Sequence, residues 1–127
     1  MRMLFIDDEA RLAETLAIAL APHEVVSVTS GTEALALLAS DRSFSLVLCD
    51  LMIPDLSGPE IYQKVRKRDP ELASRFIFVS GGAFTERART MLAETEVPLV
   101  TKPFDIETIE TLLEERRHWG IFQGDGI

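Results

Sequence analysis

Met3-Leu4-Phe5-Ile6-Asp7-Asp8 sets four apolar residues directly against two aspartates, and this pattern decides how the chain reads. Leu46-Val47-Leu48-Cys49 likewise runs into Asp50, and Pro98-Leu99-Val100-Thr101 runs into Lys102-Pro103. Short, nearly continuous apolar runs suit strands of a parallel sheet covered on both faces. In such a sheet the carboxyl ends of the strands share one edge, where open α/β folds bind their ligands. Three carboxylates gathered there repel one another unless a cation compensates them. An oxygen-only donor set suits a hard divalent ion such as Mg²⁺.

Outward from these runs, strand-length apolar segments alternate five times with segments of helical period. The strands are expected at about Arg2–Ile6, Glu24–Thr29, Ser45–Cys49, Phe76–Ser80 and Pro98–Thr101. Between them lie helical stripes: Leu12, Leu16 and Leu20; Ala34, Leu35 and Leu38; Ile61 and Val65; Ala88, Met91 and Leu92; Ile109, Leu112 and Leu113. Each stripe reads as core packing. Ser30-Gly31 and Gly58-Pro59 mark helix starts, Asp69-Pro70 follows a stop, and Asp105 reads as an N-cap. Strict alternation of strand and helix implies right-handed crossovers and a doubly wound parallel sheet of the α/β class.

Bulk properties narrow the function. At 127 residues the chain has room for one domain. Its formal charge of −8 argues against nucleic acid as the main partner, because phosphate backbones need a basic face. No apolar run is long enough to span a bilayer, and the N-terminus lacks the pattern of a signal peptide. Cys49 is the one cysteine, which excludes an internal disulfide. In a hydrophobic strand it reads as a buried, inert thiol. These features place the chain in the cytoplasm. Past Arg117 the helical period fails, and Trp119, Ile121 and Phe122 read as aromatics and aliphatics resting on neighbouring structure as the last helix frays. The domain is therefore expected to span residues 1–117, with 118–127 as a C-terminal extension or tail.

Asp8 stands where it would cap the helix that follows. Asp50 is the sharper signal, since an ionised carboxylate seldom ends a buried strand without a partner. Asp7, Asp8 and Asp50 together make a metal site, and Asp50 becomes the candidate nucleophile: a carboxylate can attack a phosphoryl group and carry it as an acyl phosphate. Mg²⁺ would neutralise charge on the transferring group. Ser80 offers a hydroxyl and Lys102 an ammonium to the oxygens of such a group. The Lys102-Pro103 bond is a candidate for cis, which would aim the lysine back into the site.

As a set, four motifs resemble a response regulator receiver domain of two-component signalling. They are Phe5-Ile6-Asp7-Asp8-Glu9, Cys49-Asp50-Leu51-Met52-Ile53-Pro54 with Gly58 beyond, Val79-Ser80-Gly81-Gly82, and Thr101-Lys102-Pro103-Phe104. The resemblance covers Arg2 to about Arg117. It implies a flavodoxin-like (βα)5 fold with strand order 2-1-3-4-5, in which Asp50 accepts phosphate from the phosphohistidine of a sensor histidine kinase. It also implies that Asp8, Asp50 and the backbone carbonyl of Met52 ligate Mg²⁺ directly, with Asp7 acting largely through water. Ser80 and Lys102 would bind the phosphoryl oxygens. Such a module is no enzyme beyond its own phosphorylation and dephosphorylation. The kinase would act in trans, or in cis if the chain is part of a hybrid kinase. The loop Gly81-Gly82-Ala83-Phe84-Thr85 is similar to receivers at the C-terminal end of hybrid sensor kinases. The output partner is not legible from the residues, and direct transcriptional output is not expected from these 127 residues. Leu99 stands where the family often carries Tyr or Phe three residues before the lysine, and Phe84 reads as packing on the sheet edge. The signal is therefore expected to leave through Ser80 and its loop.

Two other functions compete. A haloacid-dehalogenase-like phosphatase also uses a strand-end aspartate and Mg²⁺, but needs a second aspartate where Met52 stands. A receiver-like binding module that takes no phosphate would typically lack one of the acidic pair, the acceptor or the lysine, and all are present. His23 and His118 have no acidic or basic constellation around them and read as surface residues rather than phosphocarriers.

Overall fold

Successive strand residues point to opposite faces of a sheet, so strands apolar at every position need helices on both sides. The computed structural model, which describes residues 1–82, 85–102 and 105–115, has that arrangement. Its elements run β1 (Arg2–Ile6), α1 (Ala10–Ala19), β2 (Glu24–Val28), α2 (Gly31–Ser40), β3 (Leu46–Asp50), α3 (Gly58–Arg68), α4 (Pro70–Ala73), β4 (Phe76–Ser80), α5 (Glu86–Ala93) and β5 (Leu99–Thr101). Residues 106–115 are helical and form α6. The strands are parallel in the order β2-β1-β3-β4-β5, the doubly wound, flavodoxin-like order that the motifs implied.

Alternation sorts the core into two layers. Leu4, Ile6, Val47, Cys49, Phe76 and Phe78 pack with α2, α3 and α4, whereas Met3, Phe5, Leu46, Leu48, Ile77 and Val79 pack with α1 and α6. β3 and β4 are buried at every position, and the edge strands β2 and β5 only in part. The helical stripes land in these layers, with Leu16, Leu20, Ala34, Leu38, Ile61, Val65, Ile109 and Leu113 buried and Leu12, Leu35, Leu92 and Leu112 partly so; Ala88 of α5 is buried as well. Cys49 is fully buried, and burial pushes its thiol well above the ordinary range, as an inert thiol requires.

Helix starts follow the capping residues. Ser30 accepts from the Glu33 amide, Ser57 from Glu60, Thr85 from Ala88, and Asp105 from Thr108. Asp69 does more than follow a stop. It ends α3 and also caps the single turn of α4, accepting from the Leu72 amide at 3.2 Å with Pro70 in the first turn. One turn is too short to produce a periodic stripe, so α4 left no apolar signal in the sequence. The strand limits also shift. β3 begins at Leu46 and extends through Asp50, which pairs with Val79; β2 stops at Val28; β5 begins at Leu99, after Pro98, which has no N–H to offer a ladder. The Ala21-Pro22 peptide is cis. The Lys102-Pro103 bond, Phe84 and everything from Arg116 onward, including His118 and Trp119, lie outside the described residues. Among the described residues no helix is long and apolar enough to cross a membrane.

The amino-terminal edge of the sheet is closed by Arg2. Its guanidinium bonds Glu24 at 2.8 Å, Asp41, and the Ser43 hydroxyl at 2.5 Å, and lies 4.5 Å from the centre of the Phe44 ring. The hydrogen bond from Arg2, helped by Ser43, holds the Asp41 carboxyl down at about 2 from an ordinary 3.8. A carboxylate depressed on folding contributes stability in full above its unfolded value and loses it as pH falls toward the folded one. Asp41→Asn is therefore expected to lower the urea midpoint at pH 6, with the deficit shrinking between about pH 4 and pH 2. A deficit unchanged across that window would place the stabilisation elsewhere.

Candidate functional site

Four strands deliver polar residues to the carboxyl-terminal edge. Asp7 follows β1, and its amide still donates to the Val28 carbonyl at 3.1 Å. Asp50 is the last residue of β3 and Ser80 the last of β4. Lys102 follows β5, its amide donating to the Ser80 carbonyl at 2.8 Å. Because the hydrophobic core fixes these ends in register, the charged side chains have little choice of neighbour.

Asp7, Asp8 and Asp50 meet: one oxygen from each lies within 4.8 Å of the others. Asp7 and Asp50 are buried, whereas Asp8 is exposed at the mouth. The Lys102 ammonium lies among them, 2.6 Å from Asp7 Oδ2, 3.1 Å from Asp50 Oδ2 and 3.5 Å from Glu9 Oε1. The remaining oxygens are held by backbone, Asp7 Oδ1 by the Glu9 amide at 2.8 Å and Asp50 Oδ1 by the Met52 amide at 3.0 Å. Ser80 belongs to the same edge, with its hydroxyl donated to the Gly82 carbonyl at 3.0 Å. Asp8 does not cap α1. Glu9 takes the N-cap position without a side-chain bond, because the carboxylate of Asp8 belongs to the acidic cluster.

The electrostatics follow from this crowding. Burial pushes the Asp50 carboxyl up, and the charge of Asp7 adds to it, against hydrogen bonds from Met52 and Lys102 that favour the carboxylate. Burial works against the Lys102 charge, yet the hydrogen bonds to Asp7 and Asp50 outweigh it and hold the ammonium above its usual range. Three carboxylates against one ammonium leave the cluster negative, and oxygen donors within one ion's reach fit a hard divalent cation. Two residues near the site were given no role by the sequence. Glu9 touches Lys102 from beside the acidic pair, and Asp55 binds the start of α2. Glu9 closes the acidic motif Phe5-Ile6-Asp7-Asp8-Glu9, where its contact with Lys102 could have been expected; nothing local marks Asp55, whose partners lie more than twenty residues earlier.

The segment from β3 to α3 folds tightly against the acceptor strand. Met52 and Ser57 form an antiparallel bridge, and the Gly58 amide donates to the Leu51 carbonyl at 2.9 Å. A Cβ on Gly58 would lie 2.6 Å from the Asp50 carbonyl oxygen and 3.1 Å from the Leu51 Cα, both backbone atoms.

Known proteins share this fold and family. The family model for the response regulator receiver domain matches residues 3–114. The sensor kinase CckA of Brucella abortus is 29% identical over 116 residues, covering 89% of this chain and 12% of the kinase. The uncharacterized transcriptional regulatory protein YkoG of Bacillus subtilis is 36% identical over 110 residues, 84% of this chain and 46% of that protein. Among solved structures, a response regulator receiver domain protein of Clostridium thermocellum has a TM-score of 0.80 over 96% of this chain and 98% of that one; at 23% identity the likeness is one of fold. The receiver domain of the hybrid histidine kinase CckA has a TM-score of 0.71 at 27% identity, covering 91% of this chain and 98% of that one. The chain belongs to the response regulator receiver domain family, whose members act as phosphoacceptor signalling modules. It spans less than half the length of either curated relative named here.

Gly58→Ala tests how tightly the acceptor segment is built. The added methyl has no flexible neighbour to displace, so it should cost about 1–3 kcal/mol in chemical denaturation, as overpacking does. It should also disturb the backbone amide resonances of residues 50–57. Wild-type stability with unshifted resonances would show that the segment yields freely.

Proposed function

We propose that this receiver takes a phosphoryl group from the phosphohistidine of a sensor histidine kinase onto Asp50 and changes conformation to pass the signal on. The observation that carries this reading is the meeting of Asp50 Oδ2 and the Lys102 ammonium at 3.1 Å inside a three-carboxylate cluster. A carboxylate oxygen of Asp50 attacks phosphorus; the new P–O bond forms as the P–N bond to the donor imidazole breaks, and the leaving nitrogen keeps the electron pair. The Met52 amide anchors Oδ1 and so orients the carboxylate for attack. Lys102 then exchanges carboxylate contacts for phosphoryl oxygens, and Ser80 turns its hydroxyl from the Gly82 carbonyl to the same group. Asp8, Asp50 and the Met52 carbonyl would hold Mg²⁺, with Asp7 through water. When bound, the ion supplies charge neutralisation on the transferring oxygens.

The kinase acts in trans, or in cis within a hybrid kinase, a role the likeness to CckA supports. A net charge of −8 favours a protein over DNA as the direct output partner. We take residues 1–117 as the receiver, 118–127 as an extension, the cytoplasm as its compartment, and its own acyl phosphate as the only bond it turns over.

Incubation with acetyl phosphate and Mg²⁺ should add about 80 Da, one phosphoryl group, to the wild-type chain and nothing to Asp50→Asn. The same adduct on that variant would refute Asp50 as acceptor. Mg²⁺ should raise the melting temperature of the wild type by mass action, and Asp8→Ala should lose most of that rise. An unaltered titration in Asp8→Ala would show that the ion binds elsewhere.

A further inference from the structure

Helix α2 begins with an ordinary cap. Ser30 takes the Glu33 amide at 3.1 Å. Yet its first two amides are bound by a residue far along the chain. Asp55 Oδ1 accepts from the Gly31 amide at 2.8 Å, and Oδ2 accepts from the Thr32 amide at 2.9 Å and the Thr32 hydroxyl at 2.8 Å. Next to it, Leu56 lies flat on Gly31, so close that a Cβ there would come within 2.7 Å of the Leu56 Cβ. Asp55 is exposed, so its role is not to fill space in the core. Its bonds tie the segment that leaves the acceptor strand to a second, independent element.

We propose that Asp55 is a positioning residue for metal binding and phosphoryl acceptance, clasping residues 51–57 onto the start of α2 so that Asp50 and the Met52 carbonyl keep their places. The proposal rests on the reading in which those two groups hold Mg²⁺. The segment is then held by the Leu51 amide on the Val79 carbonyl, the Met52 amide on Asp50 Oδ1, the Gly58 amide on the Leu51 carbonyl, and Asp55 on α2. The Met52 and Gly58 bonds lie within the segment's own ends, and the Leu51 bond, with Leu51 and Ile53 buried, seats its start in the core. The clasp ties its later part, around Asp55, to α2. The Gly31 amide, with Thr32, holds the Asp55 carboxyl down at about 2, so the clasp stays ionised and intact throughout the neutral range. Groups that orient metal ligands from behind commonly govern affinity by about 10–100-fold.

Calorimetric Mg²⁺ titration of the full chain, with acetyl phosphate labelling across the same Mg²⁺ range, tests this in wild type, Asp55→Ala, Asp55→Asn and Ser30→Ala. Asp55→Ala should weaken Mg²⁺ by about tenfold, with labelling restored toward the wild-type rate at saturating Mg²⁺. Asp55→Asn keeps one acceptor oxygen and should fall between the two. Ser30→Ala removes a cap from the same helix and should melt lower while binding Mg²⁺ as the wild type does. Unchanged Mg²⁺ affinity in Asp55→Ala, or an equal loss in Ser30→Ala, would overturn the clasp alone. A wild-type chain that binds no Mg²⁺ would overturn the clasp and the metal reading together.

Discussion

The Lys102 ammonium is the charge on which the upper edge of this sheet depends. It stands 2.6 Å from Asp7 and 3.1 Å from Asp50, at the ends of two adjacent central strands that the core holds side by side. Burial of Met3 to Ile6 and Leu46 to Cys49 forces those two carboxylates together whatever their mutual repulsion. Taking one partner out of a buried ion pair costs about 3–5 kcal/mol, because the remaining charge has no solvent to fall back on. The hydrophobic effect thus creates the electrostatic problem, and a lysine arriving from β5 relieves part of it.

Only part is relieved, and that is where function enters. A cluster that stays negative is prepared for a cation, and a lysine already shared among carboxylates can change partners at small cost. Charge-assisted hydrogen bonds contribute roughly 1.5–3 kcal/mol each. In the proposed function, two of them, from Lys102 and Ser80 to a phosphoryl group, would be enough to bias an equilibrium between two conformations. A Cβ on Gly81 would press on the Lys102 side chain at 3.3 Å, so the glycine leaves that lysine its room. The segment after Asp50 is held by close packing at Gly58 and by the bonds of Asp55 to α2.

Much of this was readable from residue order. Apolar runs ending in Asp7-Asp8, Asp50 and Lys102 marked the strands and the edge they share, and five apolar stripes marked the helices that cover them. What failed to show had too little chain to make a pattern or depended on a distant partner. Asp69 looked like an end because a one-turn helix has no period. Asp8 looked like a cap because acidic residues favour helix starts, and the competing pull of Asp7 and Asp50 is invisible until the strands are paired.

The sequence by itself determined the sheet covered on both faces, its strand–helix order and the identity of the groups gathered at its edge, because continuous apolar strand runs and helical stripes of period 3.6 are local properties of the chain. Tertiary structure alone decided which groups touch. Lys102 finds Asp7 across 95 positions, and Asp55 finds the Gly31 amide across 24. Such contacts are set by strand register and through-space distance, which no stretch of neighbouring residues encodes.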